Sequence, residues 1–421
     1  MLKITTTVAD GAFTLAIAGR LTLDGCHAVN RILNDDRNRG RQVRVDLARH
    51  QVGRSVFRRI SGRYPPASCR AGQPSFLYQP LCRPRFPVST NLNILEVHNM
   101  KIFVAGATGA IGKRLVPLLV SNGHQVFATT RHSAKIASLR GAGAEPVVLD
   151  GLNRDAVMKA VSSARPDVIV HQMTALASMK SLKKFDEEFA MTNRLRTEGT
   201  KHLIEAATAA GVRKIVAQSY TGWPNAREGS RIKTEDDPVD PAPPKAMSKS
   251  LEAIRTLESL TANAAGVNGI ALRYGSLYGP GTSIAPDGEI FRMVRQRNFP
   301  VVGSGSGVWS FVHVDDAANA TRLAIDNGAP GIYNIVDNEP AEVSVWLPGL
   351  AEAIGAKPPH HVPAFIGRVF MGEPGVSIMT QIRGSSNAKA NRILGWNPVY
   401  TSWRVGFRAI CETAHGVGRA R

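Results

Sequence analysis

The amino-acid sequence predicts an α/β fold: a doubly wound parallel sheet over residues 100–280, followed by a smaller C-terminal lobe over residues 281–421. Three observations predict it. From Met100 onward, five apolar segments of strand length alternate with helix-forming segments. A glycine-rich turn follows the first of these segments. Near Pro280 the even alternation ends, and the short strands expected at 301–303, 309–314 and 332–336 are assigned to the smaller lobe.

The five strands of the sheet are expected at 101–107, 125–130, 145–150, 167–173 and 214–219. The first, KIFVAGA, is apolar throughout, which is typical of a parallel strand covered on both faces. Helices are expected through residues 115–119, up to Leu139, from a cap at Asn153 to Val161, and over residues 187–210. Strands and helices in this order form right-handed β-α-β units within one sheet.

Residues 1–99 differ in character from the rest of the chain. Residues 1–48 show a β-β-α-β order, with a strand at the start, strands at 12–19 and 43–48, and a helix near 26–33. With GRLT after the second strand, they resemble the first half of a STAS (anti-sigma-factor antagonist) domain, whose second half does not follow. Residues 49–99 have no steady hydrophobic period and contain six prolines, so we expect a disordered linker.

The net charge of +19 is densest in this N-terminal part, where residues 54–85 hold seven arginines and no acidic residue. Such a run indicates either a patch for nucleic acid or anionic lipid, or sequence without a stable fold. We favour the second interpretation, so neither nucleic acid nor a membrane is expected as a partner.

Composition limits the remaining classes. No apolar run reaches the roughly 18–20 residues that a membrane helix needs, and the first residues lack the pattern of a signal peptide. We therefore expect a cytoplasmic protein. The four cysteines form no C-x-x-C pair, so neither a metal site nor a disulfide framework is predicted.

The turn after the first predicted strand is expected to bind a dinucleotide. Gly106 permits the sharp turn, Gly109 lets the backbone approach a pyrophosphate, and Gly112 lets the helix pack tightly on the strand. Free N–H groups and the positive end of the helix then face the phosphates. The predicted cofactor-binding residues of this turn are Gly106, Thr108, Gly109, Ala110, Ile111 and Gly112.

The end of the second strand bears on the choice of cofactor. An acidic residue there would bind the ribose 2′-hydroxyl of NAD(H), but the sequence reads Thr130-Arg131-His132 with no acid. Because Arg131 can pair with a 2′-phosphate, we favour NADP(H) over NAD(H), which stays possible. Asp150, at the end of the third strand, either meets the adenine edge or caps the region around Asn153.

Four ordered motifs carry a family resemblance. G-A-T-G-x-I-G at the glycine turn is followed by RYGSLYGPGT at 273–282, FVHVDD at 311–316 and LGWNP at 394–398. Residues 100–407 thus resemble the extended short-chain dehydrogenase/reductase family, and within it the NAD-dependent epimerase/dehydratase group. The resemblance implies a Rossmann domain, a bound nicotinamide cofactor and a C-terminal lobe for a small-molecule substrate.

That family works with a Ser or Thr, a Tyr and a Lys, and the resemblance assigns three of the positions. Ser219 matches the Ser/Thr that polarises the substrate oxygen, and Lys249 matches the Lys that binds the nicotinamide ribose and lowers the pKa of the Tyr. The Tyr position is Lys245. Either Lys245 is the proton donor, with its pKa lowered by the charge of Lys249, or Tyr220 reaches the site from another direction.

A second departure concerns the substrate. Nucleotide-sugar members commonly carry an Arg in G-x-G-x-x-x-R-D-F that grips a phosphate, and here Trp309 and Ser310 stand at the Arg and Asp positions. Trp309 offers either an apolar wall for a smaller substrate or simple packing between the lobes. Tyr274 is expected at the substrate mouth. The loop at 224–244 is either a lid or an ordinary surface excursion.

Three functions are weighed on these observations. The first is an NAD(P)-dependent oxidoreductase or epimerase acting on a small sugar-like or other carbonyl or hydroxyl compound. The second is a non-catalytic NADP(H) sensor, which Lys245 at the Tyr position favours. The third is a regulatory protein built on residues 1–48, which the missing half-domain disfavours. A homodimer through the helices near 187–210 and 246–264 is expected from the family.

Overall fold

The structure, a computed structural model, describes residues 99–176 and 181–418, with side chains up to residue 412, and the backbone of three N-terminal strands. The chain separates into two compact units, Met1–Thr90 and Asn91–Arg421. In the first unit, β1 (Lys3–Ala9) pairs antiparallel with β2 (Ala12–Ala18), which pairs parallel with β3 (Gln42–Asp46). The helix expected near 26–33 and most of the expected linker lie outside the described residues.

The second unit is built on a seven-stranded sheet in which every neighbouring pair is parallel. Its strand order is β15-β10-β8-β7-β4-β5-β6. The order reverses between β4 and β7, and in open α/β sheets ligands bind at the carboxyl ends of the strands beside such a switch point. The strands of this unit are β4 (Lys101–Ala105), β5 (Gln125–Thr130), β6 (Glu145–Val148), β7 (Val168–His171), β8 (Lys214–Tyr220), β9 (Ile232–Lys233), β10 (Asn268–Tyr274), β11 (Ser276–Tyr278), β12 (Val301–Val302), β13 (Val308–Trp309), β14 (Phe311–His313), β15 (Gly331–Ile335), β16 (Ala341–Glu342), β17 (His361–Val362) and β18 (Gly384–Ser385).

Helices cover both faces of the sheet, because alternate side chains of each buried strand point to opposite faces. Ile102 and Val104 of β4 pack on α1 and α9, whereas Phe103 and Ala105 pack on the side of α3 and α6. The helices are α1 (Gly112–Ser121), α2 (Ile136–Gly141), α3 (Arg154–Ala164), α4 (Phe185–Glu188), α5 (Ala190–Arg194), α6 (Thr200–Ala210), α7 (Ser248–Ala262), α8 (Glu289–Arg295), α9 (Val314–Asn327), α10 (Val343–Ala353), α11 (Ala364–Thr380) and α12 (Trp403–Gly418).

Two elements differ from the sequence expectation. The strand assigned to the smaller lobe at 332–336 is β15, which forms the edge of the main sheet beside β10. Its burial explains this, because Tyr333 and Ile335 fill the same core as Ile102. The long helix expected over 187–210 is interrupted by a π-helical turn, Leu195–Gly199, between α5 and α6. The turn offsets the inward-facing side chains of α5 from those of α6.

A second core lies in the smaller lobe and combines aliphatic side chains with aromatic side chains of β14, α10 and α12. Phe311, Trp346 and Phe407 meet there edge to face, with ring centroids 5.2–5.5 Å apart. Among the described residues, no helix is long and apolar enough to cross a membrane.

Candidate functional site

The three glycines of the turn between β4 and α1 have different surroundings. Gly106 has φ +92°, and a Cβ there would lie 2.5 Å from the backbone of Gln172. A Cβ on Gly112 would lie 2.6 Å from the backbone of Ala107, so only a glycine lets the start of α1 pack this closely on the turn after β4. A Cβ on Gly109 would meet only the Gly106 carbonyl oxygen, at 3.5 Å. Gly106 and Gly112 therefore hold the turn together, whereas Gly109 faces open space.

The start of α1 presents unused hydrogen-bond donors. The amides of Ala110, Ile111 and Gly112 have no acceptor anywhere in the described part of the chain. No side chain caps this helix, and its first turn holds no acidic residue. Free amides at the positive end of a ten-residue helix are suited to an anion. The turn thus fits the pyrophosphate of a dinucleotide.

A cleft of about 530 Å³ opens beside this turn at the ends of β5 and β6, where the adenosine of a dinucleotide is expected. In the cleft, Arg194 is paired with Glu198. The exposed Arg131 makes no hydrogen bond or ion pair to any described residue. The cleft is lined by Arg131, Asp150, Leu152, Asn153, Arg154, Asp155, Met191 and Arg194.

Asp150 lines this cleft and also stabilises its own loop, because its Oδ1 accepts from the Leu152 amide at 3.1 Å. The cap of α3 is Asn153 itself, whose Oδ1 accepts from the Ala156 amide at 3.0 Å. Asp150 therefore does not cap the helix, and its exposed carboxylate stays in the cleft.

Ser219 lies beneath the carboxyl edge of the sheet and is buried against α7. Its hydroxyl donates to Oε1 of Glu258 at 2.6 Å, and Arg273 donates to both carboxylate oxygens of Glu258 at 2.7 Å. All three side chains are buried. Breaking such a buried pair leaves an uncompensated charge, so the hydroxyl of Ser219 is held by a structural ion pair.

Lys245 and Lys249 are exposed and make no side-chain hydrogen bond to the described residues. The carboxylate of Asp186 accepts from the amides of residues 249 and 250 at the start of α7. The positions four apart that face inward are Met247 and Leu251, each 1% exposed. Lys249 instead lines an outward groove with Asn193, Arg194, Thr197, Ser248, Glu252 and Ala253.

The rotation of α7 was not predicted, because spacing alone assigned Lys245 to the Tyr position. A signal was present: Met247, Leu251, Ile254 and Leu257 form an apolar stripe at helical spacing, which predicts the buried face of α7. Lys245 and Lys249 lie outside that stripe. The inward face of α7 at the site therefore carries two apolar side chains in place of a hydroxyl and an amine.

These two side chains belong to an apolar group beside the end of β8, called the aromatic cluster here. Phe185 stacks on Phe189 with ring centroids 4.4 Å apart, and meets Trp223 edge to face at 5.2 Å. The cluster consists of Phe185, Trp223, Met247, Leu251, Ile254 and Ile382, with Leu182, Phe189, Tyr220, Val239, Trp309 and Ile378 at its margin.

Tyr220 connects the aromatic cluster to the carboxyl edge of the sheet. Its hydroxyl lies 3.2 Å from the Ser276 hydroxyl, just beyond β10. Burial raises the pKa of Tyr220, while the hydrogen bond to Ser276 and the charge of Arg196 act to lower that pKa. Of the four predicted catalytic residues, Tyr220 is the one whose side chain the structure brings to the cluster.

Tyr274 and Trp309, expected to contact substrate, both have internal partners. The Tyr274 hydroxyl lies 2.7 Å from that of Thr321 and accepts from the Gln172 amide, and burial raises its pKa to about 12. The indole of Trp309 donates to the Ile378 carbonyl at 3.2 Å and lies against Trp346. Tyr274 is 1% exposed and lies in the core, whereas Trp309 lies between the aromatic cluster and the core of the smaller lobe.

The segment at 224–244, expected as a lid or a surface excursion, is fastened to the smaller lobe. β9 within it pairs with β18, and Asn225 donates to the Arg383 carbonyl at 3.1 Å. Arg227 and Asp240 form an ion pair of 2.8 Å within the segment.

Comparison with known proteins gives consistent matches. Residues 102–336 match the model of the NAD dependent epimerase/dehydratase family. A 3-diazoavenalumate denitrifying reductase from a Streptomyces species is 43% identical over 309 residues, 73% of this chain and 99% of the relative. A UDP-glucose 4-epimerase from Mycolicibacterium smegmatis is 28% identical, over 71% of this chain and 94% of that protein. The crystal structure of Thermus thermophilus UDP-glucose 4-epimerase with NAD is 25% identical, with a TM-score of 0.58 over 75% of this chain and 99% of that one.

Proposed function

This chain belongs to the NAD dependent epimerase/dehydratase family, and from that premise we propose that it is an NADP(H)-dependent reductase of a small aromatic substrate. Its oxidoreductase character follows from the family, and the alternative of a non-catalytic sensor is not favoured. One observation carries the choice of substrate: the side of α7 turned towards the end of β8 carries Met247 and Leu251 within the aromatic cluster, whereas Lys245 and Lys249, which hold the Tyr and Lys positions of the resemblance, are exposed.

For the cofactor, the glycine turn and the free amides at the start of α1 hold the pyrophosphate, and the cleft beyond β5 holds the adenosine. The Thermus relative binds NAD. For this chain we favour NADP(H), because Arg131 is an unpaired guanidinium at the end of β5 and no acidic residue of residues 130–135 opposes a 2′-phosphate.

For the substrate, an aromatic compound fits better than a nucleotide sugar. A diphosphate needs fixed cations, and the position of the family's phosphate-binding Arg is Trp309, whose indole packs on Trp346. The aromatic cluster, in which the buried rings of Phe185 and Trp223 pack edge to face, instead surrounds the end of β8 with apolar and aromatic side chains. The tendency of aromatic rings to pair in these geometries favours a ring-bearing ligand.

For the reaction, the Streptomyces relative is named for reducing a diazo compound with loss of nitrogen. A reduced nicotinamide supplies a hydride when bound. Reduction of a diazo-substituted phenol in its neutral quinone diazide form needs one hydride and one proton. The hydride forms the new C–H bond at the carbon that carries the diazo group, the C–N bond breaks and its electron pair leaves with N₂, and the proton goes to the ring oxygen. Met247 and Leu251 cannot give the proton, so its source is another side chain.

The test combines the full-length protein with NADPH or NADH and one of three substrates: a diazo-substituted phenol, a β-keto ester or UDP-glucose. We expect nicotinamide oxidation with release of an equal amount of N₂ from the diazophenol, roughly tenfold better kcat/KM with NADPH than with NADH, and no conversion of UDP-glucose. Formation of UDP-galactose with a kcat/KM above that for the diazophenol would overturn the proposal. Gly109→Val is the cofactor-binding control.

We further propose that residues 100–421 are the catalytic unit and that residues 49–99 are a linker. The Streptomyces relative is covered to 99% by a match that takes in 73% of this chain, so about a quarter of the chain has no counterpart in it. Limited proteolysis of the full chain is expected to cut within 49–99 and to leave a core that oxidises NADPH. A linker that resists protease while the rest is cut would contradict this division.

A homodimer through α5, α6 and α7 accords with the outward groove that contains Lys249, since this groove is lined by α5, the π-helical turn and α7. Light scattering of the full chain measures the mass directly. A monomer at micromolar concentration would remove the dimer from the proposal.

A further inference from the structure

We propose that Tyr220 is the proton donor of this site and that Arg196, on the neighbouring π-helical turn, is the positioning residue that makes it one. The inference rests on the proposed reductase function and adds the source of the proton. It concerns two side chains that come from different elements, the end of β8 and the turn between α5 and α6.

Arg196 is a buried cation that has no partner among the described residues. Its side chain is 5% exposed, it forms no hydrogen bond or ion pair within the described part of the chain, and its Nη1 is fully enclosed. Burial lowers the pKa of Arg196 to about 10. Removing a guanidinium from water without pairing it is costly. Such a group is retained where negative charge develops beside it, which is a common use of a preorganised cation in an active site.

Three ionisable groups interact electrostatically with Arg196, and they come from three different elements: His171 of β7, Tyr220 of β8 and Glu258 of α7. The Glu258 carboxylate is already taken by Arg273 and Ser219. The negative charge of Glu258 is therefore already shared with Arg273 and Ser219, independently of Arg196.

His171 is held neutral. One ring nitrogen, Nδ1, accepts from the Met173 amide at 3.2 Å, and Nε2 lies 3.2 Å from the Leu195 carbonyl. Burial lowers the pKa of His171 to about 4, and the charge of Arg196 also acts to lower that pKa. Of the three groups, Tyr220 is thus the one whose ionisation the guanidinium can favour during a reaction.

The position of Tyr220 suits a proton donor. Its ring lies 6.4 Å from that of Trp223 in the aromatic cluster, and its hydroxyl lies beside Ser276 at the carboxyl edge of the sheet, where ligands of this fold bind. In the step, the Tyr220 O–H bond breaks and its proton passes to the substrate oxygen. The resulting phenolate is stabilised by the charge of Arg196 and accepts a hydrogen bond from Ser276. Water then returns the proton.

The first test needs neither cofactor nor substrate. Ultraviolet difference titration of the full-length protein against Tyr220→Phe isolates the ionisation of Tyr220 among the seven tyrosines. The same difference is taken in an Arg196→Met background, in Arg196→Lys, and in Arg213→Met, a control at the opposite end of β8. We expect Tyr220 to ionise at higher pH in Arg196→Met, at an intermediate pH in Arg196→Lys, and unchanged in Arg213→Met.

The second test is kinetic. Tyr220→Phe is expected to lower kcat about 100-fold with little change in KM. Because the donor must be protonated, activity falls above the pKa of Tyr220, so the alkaline limb of the kcat profile is expected to move to higher pH in Arg196→Met.

Two results would overturn the inference: an unchanged Tyr220 titration in both Arg196 variants, or a kcat within about threefold of the parent in Tyr220→Phe. If Arg196→Met does not fold, Arg196→Lys and Tyr220→Phe decide the question. A shifted titration together with no diazophenol reduction would contradict the proposed function and leave the pairing of Arg196 with Tyr220 standing.

Discussion

Two ends of one sheet edge are organised in different ways. At the β4–β5 end, the glycine turn recognises its ligand with backbone amides, and the contacts that shape it lie within a few residues of each other or in the next strand. At the β8–α7 end, the side chains of Tyr220 and Ser276 meet, and the charge of Arg196 acts on Tyr220. The shape of the β4–β5 end depends on which residues are glycines. The side chains present at the β8–α7 end depend on which face of α7 is turned towards the sheet.

The β8–α7 end can be tested first, through the buried ion pair that anchors it. Glu258→Ala leaves Arg273 buried without its carboxylate and Ser219 without its acceptor. The free energy of unfolding is expected to fall by about 3–5 kcal/mol, measured by urea denaturation. The control is Glu252→Ala, an exposed acid on the same helix, with a change below about 0.5 kcal/mol. A loss below about 1 kcal/mol for Glu258→Ala would mean that this pair does not fix α7.

The β4–β5 end can be tested by separating two glycines. Gly109→Val places its side chain in open space at the expected phosphate position, so we expect dinucleotide affinity to fall about 100-fold at an unchanged Tm. Gly112→Val drives its side chain into the backbone of Ala107, so it is expected to lower both affinity and Tm. Calorimetric titration with NADPH and thermal unfolding give the two quantities. Tight binding by Gly109→Val would place the phosphates elsewhere.

The difference between the two ends also explains how much the sequence predicts. The family resemblance and the parallel sheet are confirmed, and the strand at Gln125–Thr130 and the Asn153 cap appear as expected. Those features depend on local patterns. The place of the strand β15 in the main sheet and the register of α7 were not predicted, because both are decided by burial against distant segments: β15 beside β10, and Met247 against Phe185.

A finer test of the β4–β5 end concerns the choice between the two nicotinamide cofactors. Arg131→Ala removes the one guanidinium of the described cleft that has no acidic partner, because Arg154 and Arg194 are paired with Glu205 and Glu198. We expect the affinity for NADPH to fall roughly tenfold and that for NADH to change little. Fluorescence titration with both cofactors measures the ratio. Equal losses for the two cofactors would assign Arg131 to the shared part of the ligand.

The smallest expected effect is also the sharpest test of the β8–α7 end. The spacing of the sequence assigns the chemistry to Lys245 and Lys249, whereas in the structure both ammonium groups are exposed and Met247 and Leu251 face the aromatic cluster. A hydrated surface lysine interacts weakly with groups across the protein. Replacing either lysine by Ala is therefore expected to change kcat/KM for NADPH oxidation by less than about twofold.

A matched substitution keeps that outcome informative. Leu251→Met keeps the volume of the buried side chain, so the fold is expected to tolerate it at a cost below about 1.5 kcal/mol, while the packing of the aromatic cluster changes. Its KM is expected to rise more than that of Lys249→Ala, although it removes no charge. A drop of about 100-fold in kcat for Lys249→Ala, at normal stability, would instead require α7 to turn its lysine inward when ligands bind. Tyr220 would then have a competitor as the source of the proton.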